Sequence, residues 1–132
     1  MTAEEVLYDL LSKDQAVVAL VGTRITQERP LVDATFPLVF FTLENRDPVY
    51  TLNHGAGTVP EMWGLECWTK TSAQRKALVD AVRTRLDLAT EANTGLLGLR
   101  GILLQPGEGP IEAESVPLYG WQQTFRVIVG DP

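Results

Sequence analysis

The residues able to do chemistry in this chain are few, and their spacing decides what they can do. There is one histidine, His54, inside Asn53-His54-Gly55-Ala56-Gly57, and one cysteine, Cys67. A structural zinc site draws its ligands from paired cysteines and histidines, and a hydroxyl or thiol nucleophile needs a base held beside it. A lone histidine between glycines supplies neither, so His54 reads as a solvent-exposed loop residue. Ser12, Ser72 and Ser115 lack the G-x-S-x-G turn that presents a hydrolase serine, and Ser72 reads better as a residue at a helix start. Gly55-Ala56-Gly57 and Gly107-Glu108-Gly109 are rich in glycine. Neither follows a strand and opens a helix as a phosphate loop must, and the second places a carboxylate where phosphate would sit. The acids Glu108, Glu112 and Glu114 lie in a Pro/Gly-rich stretch, whereas paired catalytic carboxylates need a fixed geometry. They read as a solvated loop. The expectation is a protein with no catalytic set, no cofactor and no metal.

Charge is the stronger signal. Between residues 70 and 85 stand Lys70, Arg75, Lys76, Arg83 and Arg85 against Asp80 alone, while residues 104 to 125 carry Glu108, Glu112 and Glu114 and no basic residue. If these surfaces lie on opposite sides, a head-to-tail contact between copies becomes self-complementary. Two solvated faces of a monomer are the other reading. The formal net charge of −6 argues against general affinity for nucleic acid, which draws on clustered Lys and Arg. Apolar runs such as Ala16 to Val21 and Leu38 to Phe41 are too short to span a bilayer. The N-terminus opens with Glu4 and Glu5 where a signal peptide needs cations, so cytosolic synthesis is expected. One cysteine forms no intramolecular disulfide, and Cys67 reads as a small buried apolar group.

The elements that must position these groups follow from capping and periodicity. Thr2-Ala3-Glu4-Glu5 predicts a helix start, with Val6, Leu7, Leu10 and Leu11 at helical spacing. Asp14 caps a second, short helix that stops at Gly22. After a turn around Thr23 to Pro30, Pro37 to Leu43 is β-branched and aromatic and predicts a strand buried on both faces. Asn45 to Pro60 is a long excursion containing Val49, Tyr50 and Leu52. Met62 to Thr69 predicts a strand with Trp63, Leu65 and Cys67 on one face and Glu66 and Trp68 on the other. Thr71 with Gln74 opens a helix whose apolar stripe is Leu78, Val82, Leu86 and Ala89, helped by Ala73, Ala77 and Ala81. Leu99 to Gln105 predicts a third strand, then an acidic connection, then a last strand from Trp121 to Val129. The expected fold is a single α+β domain over 1–132. It has a mostly antiparallel sheet of about four strands, one principal helix packed on a face, and N-terminal helices.

The succession Leu-Val-Gly-Thr-Arg-Ile (20–25), Phe-Pro-Leu-Val-Phe-Phe (36–41), the basic helix from Thr69 to Leu86, Leu97 to Gly109 and Tyr119 to Val129 resembles the tail-terminator or tail-completion proteins of long-tailed bacteriophages and gene transfer agents. That resemblance implies a small α+β protein that assembles as a hexameric ring on the head-proximal end of the tail tube, stops its polymerisation and docks to the neck. It implies no catalysis. The implied partners are other copies of the chain, the major tail tube protein and head-tail connector proteins, with DNA passing through the lumen without specific binding and no membrane involved. Within that picture Arg75, Lys76, Arg83 and Arg85 are expected to meet a neighbour's Glu108, Glu112 and Glu114, and Val49, Tyr50, Leu52 and His54 to contact the tube or neck. Another neck component, such as an adaptor or head-closure protein, or a small-ligand-binding α+β domain, are the alternatives.

Overall fold

Two capped helices open the computed structural model, which describes residues 2–28, 35–46, 60–112 and 117–130. Helix α1 spans Ala3–Lys13, and the Glu5 N–H donates to Thr2 Oγ1 at 3.2 Å, as the opening sequence predicts. Helix α2 spans Gln15–Val21, where the Val17 N–H donates to Asp14 Oδ2 at 3.1 Å and Gly22 ends the helix with φ 59°. A left-handed φ favours glycine there because it has no Cβ to clash.

The chain then builds one sheet in the order β1-β2-β3-β6-β4, with β5 pairing β6 beside β4. Strand β1 is Ile25–Gln27, β2 Leu38–Arg46, β3 Glu61–Thr69, β4 Leu99–Leu104, β5 Gly109–Glu112 and β6 Tyr119–Val129. Every pairing is antiparallel except β1 with β2. Helix α3, Ser72–Leu86, connects β3 towards the second half of the sheet, followed by the short α4, Glu91–Thr94. The fold class is α+β as expected, but among the described residues the sheet has six strands where the sequence suggested about four. The two additions are too short for period-two alternation to show, one of three residues and one of four that begins Gly-Pro. They are strands because the longer β2 and β6 offer them backbone partners.

Packing explains the long apolar stretches. On one face α1, α2 and α3 bury Leu7, Leu10, Leu11, Val17, Leu78, Val82 and Leu86 against Val39, Phe41, Trp63, Leu65, Phe125 and Val127. Phe41 and Trp63 meet edge to face at 5.8 Å between ring centroids, the arrangement aromatic quadrupoles favour. On the reverse face Leu38, Phe40 and Trp68 form a smaller cluster under Phe36, Ile111 and Leu118. So β2 is buried on both faces over Leu38 to Phe41, and β3 sends Trp63, Leu65 and Cys67 one way and Trp68 the other. The Trp68 ring lies over Gly120, where an added Cβ would sit 2.8 Å from the ring. Only glycine leaves that space.

Helix α3 departs from its expected stripe in one respect. Its buried residues are Leu78, Val79, Val82 and Leu86, while Ala73 and Ala77 are exposed. The helix rests on the sheet through its later turns, so the first two alanines fall on the solvent side. Its start is capped by Thr71 Oγ1, which accepts the Gln74 N–H at 3.1 Å, while Gln74 Oε1 reaches back to the Lys70 N–H at 3.3 Å. Cys67 is fully buried, and burial first, then the nearby Glu66 charge, pushes its thiol up to about 12. A thiol held protonated is a packing group and a poor nucleophile.

Candidate assembly interface

The outward side of α3 collects the basic residues singled out in the sequence and gives each a different environment. Residues 75, 79 and 83 follow one another at helical spacing and face the start of β6. The Arg75 guanidinium lies 5.6 Å from the ring centroid of Tyr119 and 5.7 Å from that of Trp121. Cation–π attraction holds its planar charge on a rigid aromatic platform. Lys76, one residue on, is exposed. Arg83 donates through Nη1 to Asp80 Oδ1 at 3.0 Å and through Nη2 to Glu108 Oε1, and the Trp121 indole N–H donates to that same oxygen at 3.2 Å. The hydrogen bond to Glu108, more than any other contact, raises the Arg83 pKa further above its ordinary value. Between α3 and Trp121 these groups border an open groove of about 380 Å³.

This geometry corrects one premise. Arg83 and Glu108 pair within one chain, so the basic helix and the start of the acidic connection do not lie on opposite sides of the molecule. The loop after β4 turns back towards α3 because β5 pairs with the start of β6, Pro110 opposite Trp121. Arg85 also leaves the group: its Nε donates to the Leu10 carbonyl at 3.4 Å, tying α3 to the end of α1. Residues 83 and 85 point about 200° apart around a helix, so they cannot share a face. Glu112 closes β5, and Glu114 lies outside the described residues. Tyr119 and Trp121 were not among the expected contact residues. Their signal was present, since positions two apart on a strand share a face, but Tyr119 fell in the stretch read as a connection.

The excursion after β2 leads into β3, which pairs antiparallel with β2. At its root Arg46 and Glu61 pair at 2.8 Å, and the Trp63 indole N–H donates to Glu61 Oε1 at 3.0 Å. Val49, Tyr50, Leu52 and His54 lie outside the described residues.

A second groove, of about 460 Å³, opens at the other edge of the sheet. Glu4, Glu5, Tyr8 and Asp9 of α1 border it, with Ile25, Gln27 and Phe41 beneath. Tyr8 is 50% exposed. Asp9 pairs with Lys13 at 2.6 Å, whereas Glu4 and Glu5 form no ion pair among the described residues. Among the described residues no three His, Cys, Asp or Glu side chains gather as metal ligands, and no helix is long and apolar enough to cross a membrane.

A sequence profile of a family described as tail completion protein gp17 matches residues 5–129. Among solved structures, the chain is similar to one from the virion of a native gene transfer agent particle, with a TM-score of 0.71 and 20% sequence identity, covering 95% of this chain and 92% of the other. That likeness is one of fold. No curated protein matches.

Proposed function

The chain belongs to the tail completion protein gp17 family, which makes it a structural protein of the bacteriophage tail, and from that premise we propose that it ends the tail tube. Copies of the chain form a hexameric ring on the head-proximal end of the tube, block further addition of the major tail tube protein and offer the surface on which the head-tail connector docks. The observation that carries this reading is the extent of the family match, from residue 5 to residue 129, which takes in α1 from its third residue, α2, α3 and every described strand. The proposed site of action is the assembled virion, after assembly in the host cytoplasm.

The outer face of α3, with Arg75, Lys76 and Arg83, serves as a subunit contact. The segment with Val49, Tyr50, Leu52 and His54 engages the tube or the neck, since apolar residues set among glycines suit a segment that binds a partner. The formal charge of −6 suits a ring through which DNA passes without being held, because like charge keeps phosphates off the wall.

The test is assembly in vitro. Growing tail tubes mixed with the purified protein should stop at a uniform length and become competent to join DNA-filled heads. A chain lacking residues 49–57 should remain folded by circular dichroism and fail to join. Tubes that grow and join heads equally well without the protein would remove the reading.

A further inference from the structure

The two grooves lie towards opposite edges of one sheet, and their charges are opposite. One opens beside β1, the first strand in the sheet order; the other lies against β6 where β5 pairs with it, at the far side. Glu4 and Glu5 border the first over a floor that includes Ile25 and Phe41, and Arg75 and Lys76 border the second beside Val79. Strand β1 adds an edge that pairs with no other described strand. Its register pairs Thr26 with Phe40, and the Val39 N–H to Arg24 carbonyl and Phe41 carbonyl to Glu28 N–H bonds frame that pair. Parallel pairing therefore turns the Ile25 and Gln27 backbone groups away from β2, where no described residue bonds them.

We propose that the groove at the β1 edge of one subunit receives the outer face of α3 of the next, Glu4 and Glu5 meeting Arg75 and Lys76. The proposal rests on the ring reading above and names the surfaces that would make the ring. It replaces Glu108 as the anionic partner, because Glu108 already accepts hydrogen bonds from Arg83 and Trp121 of its own chain. A second copy is the occupant that the charges select, since each chain carries both halves of the contact. Two different patches joined head to tail leave the same pair free at either end, so repetition closes a ring if the rotation permits. Arg75 is held in place before contact by Tyr119 and Trp121, which lowers the ordering cost of binding.

The test is charge reversal read by light scattering, as the protein concentration at half-assembly. Glu4→Lys/Glu5→Lys and Arg75→Glu/Lys76→Glu should each raise that concentration at least about tenfold, a loss on the scale of close interfacial charge pairs. The chain carrying all four reversals should return to within about threefold of wild type, which also shows that the reversed helices fold. Glu4→Gln/Glu5→Gln, milder at a helix start, should move in the same direction by less. A Glu4→Lys/Glu5→Lys chain that assembles like wild type overturns the pairing and leaves the ring reading standing. A four-reversal chain as weak as the worse of its parents also overturns it, because the two grooves then meet different surfaces. A wild-type chain that stays monomeric alone and on tail tubes overturns both.

Discussion

Helix α3 has two sides that do different work. Its inner side, Leu78, Val82 and Leu86, is completely buried against the sheet and the N-terminal helices. Its outer side carries Arg75, Lys76 and Arg83, each at least partly in water. The inner side contributes through apolar area, which water expels regardless of partner. The outer side contributes through charges whose value depends on what faces them. Stability should therefore concentrate on one side of this helix and assembly on the other.

The sharpest way to break that comparison is to cut the inner side. Leu78→Ala should cost about 2–5 kcal/mol through lost burial and the cavity left behind, read as a lower urea midpoint with little change in slope. A cost below about 1 kcal/mol would mean that α3 is not seated on this core. Next comes the pH response of the buried sheet beneath it. The Cys67 thiol keeps its proton in the folded chain up to about 12, against an ordinary 9.0. In the unfolded chain it ionises first, so its contribution to stability is complete below pH 9 and declines as pH rises through 9 towards 12. The decline is about 1.4 kcal/mol per pH unit at most. Cys67→Ala should flatten that alkaline loss relative to wild type, and folded protein should react slowly with a thiol reagent at pH 8. The smallest effect belongs to the outer side. Arg83→Ala removes a partly exposed pair with Glu108 and Asp80 and should cost no more than about 1 kcal/mol, diminishing with added salt. A loss as large as that of Leu78→Ala would erase the distinction between the two sides.

One core position shows what that distinction does not cover. Gln123 is 1% exposed among apolar neighbours, and its side-chain Nε2 and Oε1 meet no hydrogen-bond partner among the described residues. Its place on the inward face of β6 was legible from alternation with Phe125 and Val127. Nothing in the residue types around it explains why a polar group occupies that place.

Much of the scaffold is local and so was written in the sequence. Thr2, Asp14 and Thr71 cap the helices they precede because a side-chain oxygen two or three residues ahead of a free N–H needs no tertiary help. The run Leu38 to Phe41 announces burial on both faces, and the spacing of Leu78, Val82 and Leu86 announces one stripe. What only the tertiary structure decided depends on residues far apart in the chain. Strands β1 and β5 are too short to declare themselves and exist by pairing with β2 and β6. Arg83 and Glu108, 25 residues apart, look in the sequence like the opposite poles of two subunits. The return of β5 along β6 brings them together in one, because the position of a charge on a surface is set by sheet order and register, which no local pattern encodes.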